Sequence, residues 1–228
     1  MDADAARFEI DLRYAAGRDQ LVPRFRPVVD LRTEAVVGFR VEPAWEHPSR
    51  GRLGPGAFIP VAEAIGLADD VDRWVLDRAC AEVAGWGGEA LDARAVLLVP
   101  IAATTAARPD LPDTARATAD LSGLPPDRVA LEVPEAGSSL RLFSDLRCAG
   151  LRLATTMDPP TDLSEHSDPV TVLAPRETGR DADVIAHGSF PPSGSLPASI
   201  RWVLDLDGDA IGADDARALL VGGERVRS

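Results

Sequence analysis

The chain has 228 residues, enough for one large α/β domain or two small ones with a sizeable buried core. Hydrophobic residues make up 45% of it, yet no run of about 18 apolar residues occurs, so no membrane-spanning helix is expected. The formal net charge is −13, and all 24 basic residues are Arg; such a chain repels nucleic-acid backbones and anionic membranes, and neither is an expected partner.

The elements follow in order. The N-terminus, Met1-Asp2-Ala3-Asp4, is acidic and lacks an apolar stretch, so it does not read as a signal peptide. Asp4 to Arg18 spaces Phe8, Leu12 and Ala15 as an amphipathic helix with a Gly17 stop. Leu21 to Val29 and Ala35 to Val41 read as two strands of a hairpin joined by a turn at Asp30 to Glu34. Pro43 to Gly56, rich in Gly and Pro, predicts a loop. A helix starts over Pro60 to Glu63, and a longer one covers Asp69 to Trp86.

Ala95 to Ile101 is a continuous apolar run, as expected of a buried parallel strand. Pro112 to Ser122 predicts a helix, Val129 to Val133 a buried strand, Ser138 to Ala149 a helix stopped by Gly150, and Leu151 to Thr155 a strand. This alternation implies α/β architecture with a parallel sheet.

The remainder is different. Val170 to Leu173, Asp183 to Ala186 and Ile200 to Leu204 read as three more strands, and Asp214 to Gly222 as a last helix. The connectors 158–169, 174–182 and 187–199 are rich in Pro, Gly and polar residues, so their outer helices are expected to be reduced or lost. The outward faces of Val170, Val172, Val184 and Trp202 then need a cover, most simply a second copy or a protein partner.

One stretch organises the first half. Gly38-Phe39-Arg40-Val41-Glu42-Pro43-Ala44-Trp45-Glu46-His47-Pro48 lies between Phe25-Arg26-Pro27-Val28-Val29-Asp30-Leu31 and Phe58-Ile59-Pro60-Val61-Ala62-Glu63. Together these segments resemble the EAL-domain family of cyclic-di-GMP phosphodiesterases. The resemblance is strong over about 8–157 and faint beyond, and the whole chain, 1–228, is expected to be a single EAL-like domain. It implies a TIM-like (β/α)-barrel with its site at the C-terminal ends of the strands.

The resemblance also assigns the site positions. The Glu of the family's Glu-Ala-Leu falls on Arg40, and the phosphate-binding Arg falls on Ala44. A metal-binding Asn falls on Pro100, which has no side-chain oxygen. A Glu after the fourth strand is kept as Glu132. The Asp pair falls on Thr156 and Met157, a Lys on Thr171, and a later Glu on His187. Asp158 returns as a ligand only if the alignment slips by two residues. Arg26 stands where a ligand-contacting Gln is usual.

A divalent cation needs several converging oxygens, and Arg40 is a permanent cation in their midst. No metal and no cofactor are expected, and Glu132 reads best as the ion-pair partner of Arg40. His47, His166 and His187 are not spaced as metal ligands, and Asp205 to Asp209 lacks the closing Glu of a calcium loop. Cys80 and Cys148 have no metal or redox spacing; they read as small core residues of a reduced, cytoplasmic protein.

Three functions stand open at this point. The first is a catalytically inactive regulatory or protein-interaction module in bacterial cyclic-di-GMP-type signalling, as a homodimer or with a protein partner. The second is a metal-independent cyclic-di-GMP receptor using Arg26, Arg40 and Glu132. The third, an active phosphodiesterase, is the least supported because the ligand set is eroded.

Overall fold

Two long strands, β1 (Leu21–Asp30) and β2 (Val36–His47), pair antiparallel and form the middle of the sheet. The computed structural model describes residues 3–30, 36–86, 95–134, 139–155, 171–172, 185–187, 202–204 and 210–222. The expected turn at 30–34 and the connectors 158–169, 174–182 and 187–199 lie almost wholly outside them. So do Val170 and Val184.

β2 continues past its expected end at Val41 and through Pro43 to His47, and it then folds back on the short β3 (Gly51–Leu53). The loop expected over 43–56 is therefore mostly strand and turn. The reason lies in the pairing. Pro23 sits directly opposite Pro43, and Pro27 opposite Phe39. Phe25, of the same parity, sends its N–H away from β2 to the carbonyl of Ile211. Each of these prolines thus occupies a position whose N–H the β1–β2 ladder does not use, and the pair tolerates them.

Next come α2 (Pro55–Ala64) and α3 (Ala68–Gly85). α2 begins five residues before its expected start, because Pro55 at the first helical position has its φ already set. Pro60 then lies inside the helix, where it withholds an N–H from the Gly56 carbonyl. β4 (Val96–Pro100), α4 (Ala103–Ala106), α5 (Leu111–Ser122), β5 (Val129–Val133), α6 (Leu140–Cys148) and β6 (Arg152–Thr155) follow. Ser139 caps α6 by accepting the N–H of Leu142 at 3.1 Å. β7 (Thr171–Val172), β8 (Ile185–His187), β9 (Trp202–Leu204) and α7 (Ala213–Gly222) complete the described chain, and α1 (Ala3–Ala15) precedes it.

The strand order is β7-β6-β5-β4-β2-β1-β9-β8. β2, β4, β5, β6 and β7 run parallel, as do β8 and β9, while β1 is antiparallel to both its neighbours. This is the arc of a TIM-like (β/α)-barrel with one inverted strand. Among the described residues, β7 and β8 are not paired with each other. Val172 and Trp202 lie in the ladder, but their side chains are outside the described set.

Alternation along the strands divides the core in two. Leu97, Val99, Leu131 and Val133 join the large cluster formed with the helices, including the Val71, Val75, Leu76, Ala79 and Cys80 stripe of α3. Val28, Val96, Leu98, Ala130 and Ala154 form a smaller cluster on the sheet's other face. Cys148, expected inside, is exposed on α6. Gly38 permits a close approach of β2 to β4. A Cβ there would lie 2.2 Å from the Val96 carbonyl oxygen, so only glycine lets β2 and β4 meet.

Candidate functional site

On β1, β2 and β5, a step of two residues from the apolar or glycine positions of the smaller cluster's face reaches charge. Val28 gives way to Arg26, Gly38 to Arg40, and Ala130 to Glu132. Arg26 and Arg40 stand directly opposite each other in the β1–β2 register. Like charges at that separation repel, and Glu42 resolves the conflict. Its Oε1 accepts from Arg26 Nε at 2.8 Å and from Arg40 Nη1 at 2.7 Å. Arg40 also donates from Nε to Glu132 Oε2 at 2.6 Å and from Nη2 to Glu132 Oε1 at 3.3 Å, a bidentate contact across to β5.

These four side chains are largely withdrawn from water, between 12% and 18% exposed. Burial opposes the charge of Arg40, but Glu132 and then Glu42 outweigh it, and the guanidinium is held above its ordinary value. Higher on β1, Arg24 donates to the carbonyl of Ala210 through Nε at 2.9 Å and through Nη2. That contact ties the entry to α7 onto the same strand.

A cleft of about 550 Å³ opens beside this chain of charges, at the C-terminal edge of the parallel strands. Arg40, Glu42 and Glu132 form one side of it. α2 contributes Ile59 and Glu63, and α3 contributes Asp72 and Val75. Proline lines much of the rest, with Pro43, Pro55, Pro60, Pro100 and Pro134.

Asp72 is buried on the apolar stripe of α3, and its Oδ2 accepts the N–H of Ala102 at 2.8 Å. The bond fastens α3 to the segment leaving β4. Desolvation is the main reason its carboxyl is pushed up to about 6; the Thr105 side chain and the Ala102 N–H oppose the rise, and Asp69 and Glu63 add to it.

The sequence-derived positions can now be placed. Arg26, Arg40 and Glu132 come together, and Pro100 lines the cleft beside them. Arg40 sits within β2 rather than at its end, at the last parallel pair with β4, opposite Leu98. Ala44 is buried in β2 and brings no group to the cleft. Thr171 and His187 lie in β7 and β8, but their side chains are outside the described set, and Thr156 and Met157 lie outside it altogether. His47 is buried far from the ion chain, with Nδ1 accepting the Ser49 N–H at 3.2 Å and Nε2 facing Asp11 at 3.8 Å.

Glu42, Glu63 and Asp72 were not singled out from the sequence as working residues. Glu42 had a signal, because it follows Arg40 by two on the same strand face. So did Asp72, a carboxylate between Val71 and Val75 on an otherwise apolar helix stripe. Among the described residues, no group of three His, Cys, Asp or Glu side chains is arranged to hold a metal ion. Among the described residues, Glu132 is bound by the Arg40 guanidinium at 2.6 Å. Among the described residues, no helix is long and apolar enough to cross a membrane.

Comparison with known proteins gives the same frame. The family profile described as EAL domain matches residues 9–156. An uncharacterized protein of Mycobacterium tuberculosis is 41% identical over 127 residues, which cover 56% of this chain and 20% of that protein. The bifunctional diguanylate cyclase/cyclic di-GMP phosphodiesterase MucR of Pseudomonas aeruginosa is 34% identical over 152 residues, 63% of this chain and 22% of MucR. The chain thus spans about a fifth of the length of these relatives. Among solved structures, the PaMucR phosphodiesterase in complex with c-di-GMP superposes with a TM-score of 0.75 at 23% identity, covering 92% of this chain and 99% of that one. The FimX EAL domain from Pseudomonas aeruginosa bound to c-di-GMP gives 0.69 at 16% identity, covering 93% and 98%.

Proposed function

This chain belongs to the EAL-domain family, and we propose that it is a catalytically inactive member, a regulatory protein-binding module in cyclic-di-GMP-type signalling. One observation carries the reading. The Arg40 guanidinium occupies the mouth of the sheet, bound at 2.6 Å to the one retained family carboxylate, Glu132, and at 2.7 Å to Glu42. A divalent cation at Glu132 would have to displace a fixed cation that makes three hydrogen bonds to these carboxylates. Pro100 supplies no side-chain oxygen in replacement.

The receptor reading is weaker on the same grounds. Arg26 and Arg40 could bind phosphate, but both are engaged with Glu42, and Arg40 also with Glu132. A phosphate would have to break those pairs and approach two carboxylates. A second copy of the chain is assigned to the strands β7 and β9, which carry Val172 and Trp202. Calorimetry with cyclic-di-GMP, with and without Mg²⁺, tests the proposal. The expected result is neither heat of binding nor turnover. Binding that survives EDTA and is lost in Arg40→Ala would establish the receptor instead.

A further inference from the structure

Among its described lining residues, the cleft holds more negative charge than its cations neutralise. Arg26 and Arg40 are matched by Glu42 and Glu132. That leaves Glu63 and Asp72, which form no ion pair with any described residue. Glu63 is exposed on α2, at the opening, while Asp72 is buried behind it on α3. The Glu63 carboxylate raises the cost of ionising Asp72.

The chemistry of the occupant follows from three exclusions. A phosphate adds negative charge to a negative cleft in a chain of net charge −13. A bare metal ion lacks converging ligands among the described residues. A small inorganic cation would leave the Ile59, Pro60 and Val75 surfaces unused, although they make up an apolar wall next to the two carboxylates. A long cationic side chain meets both demands, because its alkyl stem packs on apolar surface while its head reaches a carboxylate. The cleft's volume exceeds what one such side chain fills, leaving room for the flanking residues of an extended segment.

We propose that this cleft is the docking site for a protein partner that inserts an arginine or lysine side chain from an extended, apolar-flanked segment toward Glu63 and Asp72. The proposal rests on the reading that the site has left catalysis, and it names the chemistry of that partner.

The probe is a capped five-residue peptide with a central arginine between leucines, titrated into the full chain and followed by NMR. Its twin carries citrulline, which keeps the shape and removes the charge. The expected result is shift changes along α2 and at 100–103, with the citrulline peptide about tenfold weaker or worse. Glu63→Gln, a change on an exposed helix position, should weaken the arginine peptide by a similar factor and leave the citrulline peptide unaffected. Equal binding of the two peptides, no binding of either, or free agmatine binding as tightly as the peptide would each overturn the proposal. Turnover of cyclic-di-GMP by the same sample would instead remove the reading beneath it, so the two failures are distinguishable.

Discussion

Arg40 and Glu132, 92 residues apart in sequence, meet through two hydrogen bonds that join β2 to β5 across β4. Both are mostly buried, so removing one strands the other in a poorly solvated place. Arg40→Met is expected to lower stability in urea by about 3 kcal/mol. Adding Glu132→Gln to it should recover much of that loss. A single-variant cost within about 0.5 kcal/mol, the ordinary range for surface changes, would show that the pair is solvated and incidental.

If Arg40 is what excludes metal, then replacing it by the family's residue should admit metal. Arg40→Glu places a third carboxylate beside Glu42 and Glu132. Its melting temperature should be lower than that of the wild type without metal, and it should rise by several degrees with millimolar Mn²⁺. The wild type should not respond. A wild-type shift as large as the variant's would mean that metal enters with the guanidinium in place.

Asp72 gives a pH signature with a definite sign. Its carboxyl is raised from 3.8 to about 6 in the folded chain, so the fold holds that proton more tightly than the unfolded chain does. Its contribution to stability is complete below pH 4 and is lost as pH rises through 6, a change of roughly 3 kcal/mol at most. The groups around it are the Thr105 side chain and the Ala102 N–H, which lower it, and Asp69 and Glu63, which raise it; Arg73 and Arg108 are turned to Asp69, at 3.5 and 3.3 Å. Asp72→Asn keeps the oxygen that accepts from Ala102. It should match the wild type near pH 4 and exceed it in stability above pH 7. Parallel stability curves for the two proteins would refute the assignment.

Gly38→Ala should cost about 3 kcal/mol or more, because the added methyl meets a backbone carbonyl that cannot rotate away. The parallel pairs formed by 38–40 set the height of Arg40 above β4, so the ion chain should loosen as well. A variant with unchanged thermal stability would contradict the close approach of β2 to β4.

The sequence announced the buried parallel strands plainly. Val129–Val133 and the apolar run ending at Ile101 could be little else, and the helices over α3, α5 and α6 followed from their spacing. Pro43 misled, because a proline reads as a break unless the partner strand is known to place Pro23 opposite it. Pro60 misled in the same way, since only the early start at Pro55 makes it internal. The pairing of Arg40 with Glu132 was reachable because the family resemblance put both at one mouth. Glu42's double role was not, because it depends on Arg26 and Arg40 facing each other in register, and no single segment contains that fact. Asp72 was visible as a charge on an apolar stripe, but its hydrogen bond to Ala102 needed the fold.

The central claim is that the mouth holds an ion pair where hydrolysis would need metals. Its most direct test is cyclic-di-GMP turnover by the purified chain with Mg²⁺ or Mn²⁺, followed by appearance of the linear dinucleotide. The account predicts none above the rate without protein. Turnover that Glu132→Ala abolishes would contradict it.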